Sequence, residues 1–116
     1  MLFRSRLAQV LLNLMVNAGD ALEEAGVPNG EVRVVGREEN GRVVLDVEDN
    51  GPGFPPEVLT RLFDAFFTTK GPDKGTGLGL CLSREMVERF GGTLQAENRL
   101  EGGARLRLSL PVHFPA

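Results

Sequence analysis

The chain reads as an α+β fold: a two-layer sandwich in which a mixed, mostly antiparallel sheet carries about three helices on one face. Its β-branched runs come in pairs joined by turn residues, so they read as hairpins rather than strand–helix–strand crossovers. Segments with helical periodicity stand before and between those pairs. Hairpins with helices segregated to one side form such a sandwich around a shared core.

Residues 4 to 25 read as a helix because Leu7, Leu11, Leu14, Ala18, Ala21 and Leu22 recur at three- and four-residue spacing. Its remaining circumference includes Leu12, Met15 and Val16, so the helix is expected to be well covered. Gly26, Pro28, Asn29 and Gly30 stop it. "EVRVVGRE" and "RVVLDVED" are two strands joined by "ENG". The turn-rich "NGPGFPP" follows, and Pro55-Pro56 opens a short helical segment to about Leu62. From Phe63 to Gly79 runs a loop with glycine, threonine and lysine, of a length that is usually functional or mobile. A second amphipathic helix covers 78 to 90, with Leu80, Met86, Val87 and Phe90 on one face, and Gly91-Gly92 end it. "TLQAEN" and "ARLRLSLP" form the last strand pair, with Leu106, Leu108 and Leu110 on one face. Arg105 and Arg107 on the other face read as a solvated surface.

A chain of 116 residues with 41% hydrophobic and 25% charged residues suits one globular domain rather than a disordered segment. Its net charge of −3 argues against a nucleic-acid or anionic-membrane surface. Cys81 is the only cysteine, which excludes an internal disulfide and a cysteine metal site; it reads as a small buried hydrophobe. Gln9, Asn13 and Asn17 break the opening apolar run before it makes a signal sequence. No stretch approaches the ~20 apolar residues of a membrane span. A soluble, cytoplasmic chain without direct membrane contact is expected.

Asn13, Asn17 and Asp20 fall at i, i+4 and i+7 and make one polar stripe on the first helix. Amides on a covered helix need partners. Either they bond neighbouring groups, or their oxygens ligate a hard cation such as Mg²⁺, which commonly shares its ligands with phosphates. Asp49 ends a strand at "DNGPG", where its carboxylate can accept a hydrogen bond from an exocyclic amine such as that of adenine. Gly51 and Gly53 would let a flat base approach the backbone there. The competing reading is a turn in which Asp49 caps its own loop. "GTGLGL" precedes a helix and offers free N–H groups at the positive end of its dipole. Thr68, Thr69, Lys70, Lys74 and Thr76 add charge and hydroxyls that suit phosphate. The cluster lacks the Lys-Ser/Thr pair of a P-loop.

In order, "NLMVNAGDA", "DNGPGF", "LFDAFFTTK" and "GTGLGL" resemble the asparagine box, first glycine box, phenylalanine box and second glycine box of the sensor histidine kinase catalytic domain. That domain shares a superfamily with the gyrase and MutL ATPases, and the resemblance runs from about Arg6 to Pro111. It implies the Bergerat α/β sandwich with ATP·Mg²⁺ between helices and sheet. Asn13 and Asn17 would be the catalytic pair, Asn17 ligating Mg²⁺. Asp49 would take the adenine amine, with Gly51 and Gly53 lining the base and Asp20 beside the nucleotide. Gly75, Thr76, Gly77, Leu78 and Gly79 would form a mobile ATP lid, with Lys70 and Lys74 near the phosphates. Phe63, Phe66 and Phe67 would anchor the lid by burying their rings.

Hydrolytic relatives carry a glutamate where this chain has Asn13, and an amide cannot act as a general base. The resemblance therefore implies transfer of the γ-phosphoryl group to a histidine of a separate dimerisation and phosphoacceptor domain, with a response regulator downstream. His113 is the only histidine and sits between Pro111 and Pro115, a poor setting for an acceptor helix. Residues 1–116 are expected to be one catalytic domain, without the acceptor hairpin and the strand that usually precede the first helix. That leaves a sheet edge open to dimerisation. Asp20 stands where one branch has a lysine, which points to the branch resembling nitrogen-regulation kinases; Lys70 or Lys74 would replace the charge. The alternatives are a nucleotide-sensing module without transfer activity, an anti-sigma-factor-like serine kinase and a superfamily ATPase.

Overall fold

Helix α1 (Leu2–Ala25) forms where the apolar periodicity places it, with Val10, Leu14, Ala18 and Leu22 buried along one side. The computed structural model describes residues 2–67 and 79–112. Gly26, at φ +62°, ends α1: its N–H donates to Glu23 O and the Val27 N–H to Leu22 O, each at 3.1 Å. These are the two bonds of a Schellman cap. Strands β1 (Val32–Glu39) and β2 (Arg42–Asp49) flank a two-residue turn in which Asn40 and Gly41 take φ of 52° and 78°. That left-handed pair suits the twist of a tight hairpin. A single turn, α2 (Pro56–Leu59), opens on Pro55-Pro56 and stops short of the expected Leu62. Helix α3 (Gly79–Arg89) ends in a second Schellman cap, with Gly92 N–H on Val87 O and Gly91 N–H on Glu88 O. Strands β3 (Thr93–Asn98) and β4 (Ala104–Pro111) complete the order.

The four described strands run β1-β2-β4-β3, each neighbouring pair antiparallel, within the mixed, mostly antiparallel sheet that the sequence suggested. Strand β4 lies between β2 and β3, so the two hairpins zip together with Leu45 opposite Leu108 and Val47 opposite Leu106. These apolar positions face α1 and α3, and their cluster takes in Leu14, Val87 and Leu94. Among the described residues, no helix is long and apolar enough to cross a membrane.

The other sheet face differs from the solvated surface expected of Arg105 and Arg107. Asp46, only 3% exposed, accepts Arg107 Nε at 2.8 Å and Nη2 at 3.0 Å, and Arg37 Nη1 at 3.0 Å. Glu48 accepts Arg105 Nε at 2.8 Å and Arg33 Nη2 at 3.0 Å. Acids on the inner strand β2 are thus sandwiched between arginines of β1 and β4. Burial pushes the Asp46 carboxyl up, but Arg107 and Arg37 together outweigh it and hold it below its usual value. The Arg105 hydrogen bond, against burial and helped by Arg33, does the same for Glu48. Two further expectations are corrected. Leu12 is 62% exposed, and Met15 and Val16 are also exposed, because α1 meets the sheet on one side and α3 on one flank only. Cys81 is half-buried rather than buried.

Candidate functional site

The polar stripe of α1 lies on the flank that α3 covers. Asn13 Nδ2 donates to Oγ of the buried Ser83 at 3.0 Å. Gly79 meets the same side chain: a Cβ there would come within 3.1 Å of Asn13 Oδ1. Asn13 therefore joins the two helices and bonds its neighbours, one of the two readings open for the stripe. Asn17, one turn on, donates its Nδ2 to Asn13 O at 2.9 Å and to Asn13 Oδ1 at 3.3 Å. These bonds tie the Asn17 amide nitrogen to Asn13, one turn earlier. Asp20 is half-buried on the same stripe.

Asp49 is buried at the end of β2. Its Oδ1 accepts the Gly51 N–H at 2.9 Å and the Ala104 N–H at 3.3 Å. The turn-capping reading is thus realised, but by one oxygen only; among the described residues, no donor meets Oδ2. Gly51 packs on Leu22, where a Cβ would lie 3.2 Å from Cδ2, so the last turns of α1 rest on the Asp49 loop. Asn17 stands five residues before Leu22, about 7.5 Å along the axis at 1.5 Å per residue. Gly53 takes φ +78°, and a Cβ would come within 2.7 Å of Asn98 Oδ1. Asn98 holds this loop from both sides, accepting the Phe54 N–H and donating to Phe54 O, each at 2.8 Å. Asn50 ties it to the opposite side, accepting the Glu31 N–H at 2.7 Å and donating to Asn29 O at 3.0 Å.

Asn98 and Asn50 are the functional supports that sequence reasoning missed. Asn50 was within the quoted glycine motif, so a side-chain clamp was legible as one possibility; Asn98 carried no local signal because its partner lies 44 positions away. The phenylalanines divide. Phe63 packs against the core with Arg84 5.0 Å above its ring, and Phe67 lies under Arg61 at 4.7 Å. Phe66, 74% exposed and in the left-handed region at φ +68°, does not bury its ring. Thr68, Thr69, Lys70, Lys74, Gly75, Thr76, Gly77, Leu78 and His113 lie outside the described residues. A hollow of about 260 Å³ opens on the helix-free sheet face, lined by Arg37, Arg42, Thr93, Arg107 and Ser109. It is remote from the α1 stripe, and its arginines are taken: Arg42 bonds Ser109 Oγ at 2.7 Å, and Arg37 and Arg107 bond Asp46.

The arrangement places an amide side chain on α1 and one carboxylate oxygen beside two side-chain-free residues. An amide oxygen fits a hard cation that draws its other ligands from phosphate and water. A carboxylate oxygen fits an amine on a flat ring. Over residues 4–113 the chain matches the family described as histidine kinase-, DNA gyrase B-, and HSP90-like ATPase. It is 46% identical over 114 residues to the two-component sensor PprA of Pseudomonas aeruginosa, covering 96% of this chain and 12% of that protein. It is 44% identical to the sensor histidine kinase ZraS of Klebsiella oxytoca, covering 93% of this chain and 22% of that one. The chain therefore spans less than a quarter of these relatives. These likenesses do not establish the branch resembling nitrogen-regulation kinases. Among solved structures, the nucleotide-free catalytic domain of histidine kinase ThkA superposes with a TM-score of 0.77 at 37% identity, over 93% of this chain and 67% of that one. Full-length ShkA in complex with AMPPNP superposes at 0.78 with 33% identity, over 96% and 22%. Fold, motif order and these likenesses agree: the chain belongs to the histidine kinase-, DNA gyrase B- and HSP90-like ATPase family, on the side of the sensor histidine kinases.

Proposed function

We propose that the chain binds ATP with Mg²⁺ and transfers the γ-phosphoryl group to a histidine on a separate helical phosphoacceptor domain. It would do so in the cytoplasm, as the catalytic unit of a two-component system with a response regulator downstream. The observation that carries this reading is Asp49: a buried carboxylate with Oδ1 held by two backbone N–H groups and Oδ2 left for a ligand. In this reading Oδ2 accepts the adenine amine, and Gly51 and Gly53 let the ring lie against backbone. Asn17 Oδ1 would ligate Mg²⁺, which when bound shields the charge of the phosphates. Asp20 would lie beside that group, and Lys70, Lys74, Gly75, Thr76, Gly77, Leu78 and Gly79 would supply the lid over the phosphates.

Asn13 bears on the outcome of the reaction. Its amide cannot take a proton from water, and it is committed to Ser83 and Asn17. Water in the site is therefore left unactivated, while a neutral imidazole nitrogen brings its own lone pair. That nitrogen bonds to the γ-phosphorus as the bond to the bridging oxygen breaks, and ADP leaves with the electron pair. Positioning and charge neutralisation then carry the catalysis.

Incubation with γ-labelled ATP, Mg²⁺ and a histidine-bearing helical hairpin of a related sensor kinase tests this. Acid-labile, alkali-stable label on the hairpin is expected. Acid-stable label would mark a serine kinase, binding without label a nucleotide-sensing module, and phosphate release outpacing transfer an ATPase.

A further inference from the structure

We infer that Arg99 is a positioning residue that sets how strongly the site selects adenine, acting through the backbone of Asp49. The inference rests on the reading of Asp49 as the base contact. The β2–β4 ladder runs out at Glu48 opposite Arg105, so Asp49, still paired with Val32 of β1, has no partner in β4. The turn after β3 supplies one: Arg99 Nη1 donates to Asp49 O at 2.7 Å. Ala104, the first residue of β4, sends its N–H to the Asp49 carboxylate instead. Main chain and side chain of Asp49 are thus held by the two ends of one hairpin loop. That loop is closed by the Arg99 N–H on Gly103 O at 2.8 Å and the Gly102 N–H on Arg99 O at 3.1 Å. Gly103 packs so tightly that a Cβ would come within 1.9 Å of Asp49 O.

A purely structural role explains Arg99 poorly. Its side chain is only 13% exposed, and among the described residues its ion pair is to the exposed Glu101 at 3.5 Å, a contact that contributes little. Among the described residues, Arg99 Nε is the one buried side-chain nitrogen or oxygen without a partner. An apolar side chain of similar size would avoid that penalty. What an apolar side chain cannot do is fix the strand end from which Asp49 aims Oδ2. A small rotation there misdirects a hydrogen bond whose strength falls steeply with angle.

The test compares ATP with purine riboside triphosphate, which is ATP without its exocyclic amine, by calorimetric titration of the full chain. Wild type should bind ATP more tightly than the analogue. Arg99→Met should lose about fivefold in ATP affinity and leave the analogue unchanged. Arg99→Lys should restore most of the preference, since an ammonium can reach the same carbonyl. Arg99→Gln, too short to reach it, gives the Met readout should Arg99→Met not fold. Equal losses for both nucleotides, or a full preference in both the Met and Gln variants, would overturn the inference. Asp49→Asn separates the two layers: if it abolishes the preference while the Arg99 variants keep it, the base contact stands and Arg99 is not its support. If Asp49→Asn keeps the preference, the base contact itself has failed.

Discussion

Asp49 is held by atoms from far along the chain, Arg99 at a separation of 50 and Ala104 at 55. Those distances explain why its acidity and glycine neighbours were legible in the sequence while its supports were not. Local pattern can show that a carboxylate follows a strand, but not which of its oxygens is already used. The same limit applies at Gly103. As sequence it is the second half of a turn signal; in the fold it is the place where two backbones nearly touch. Gly103→Ala should therefore be severe, since a φ of +90° alone strains an alanine by about 1–3 kcal/mol before the collision with Asp49 O is counted. Urea unfolding should show a large loss of stability, and an unchanged midpoint would show that the hairpin does not pack on Asp49. Gly79 is tight for a different reason, the approach of Asn13 across the helix pair.

The elements themselves were largely readable. Helices α1 and α3 stop where glycine can take the left-handed position of their caps, while α2 ends on Thr60 in the right-handed region, and each strand pair follows its alternation. The faces were harder, because periodicity marks an apolar side without saying how much of the circumference a neighbour covers. Helix α1 shows this: Leu14 is fully buried, while Leu12 points outward. Leu14→Ala should cost about 2–5 kcal/mol, and Leu12→Gln should stay within about 0.5 kcal/mol of wild type; thermal unfolding of the pair checks which face carries the core. The arginines of β4 were legible as outward-facing but not as partners of Asp46 and Glu48, which depends on β4 lying beside β2. Both carboxyls are held below their ordinary values of 3.8 and 4.5. The unfolded chain therefore takes up their protons first as pH falls, and this part of the stability, present above the ordinary values, is lost on acidification through the lower folded ones. Stability by urea titration should be flat near neutrality and decline below about pH 4.5, and Asp46→Asn should shallow that decline. Losing the carboxylate should also cost roughly 2–3 kcal/mol at neutral pH, a buried-pair value reduced because both guanidinium groups are about one-third exposed.

For the molecule as a whole, four motifs in fixed order identified the family before any fold was known, because together they describe one ligand rather than four local structures. The antiparallel hairpins were legible, but the strand order was not, since no residue states which hairpin will accept which edge. The fold joins two of those motifs through α1: its amide stripe lies against α3, and its last turn seats the Asp49 loop through Leu22. Nucleotide binding should therefore need both the Asn17 turn of that helix and the loop its last turns support. Calorimetric titration of ATP, with and without Mg²⁺, on wild type, Asn17→Ala and Asp49→Asn addresses this. Asp49→Asn should weaken ATP by about 1.5–3 kcal/mol, roughly 10- to 150-fold in Kd, whether or not Mg²⁺ is present. Asn17→Ala should lose only the part of the affinity that Mg²⁺ adds. Wild-type affinity in both variants would show that the amide and the carboxylate do not share a nucleotide.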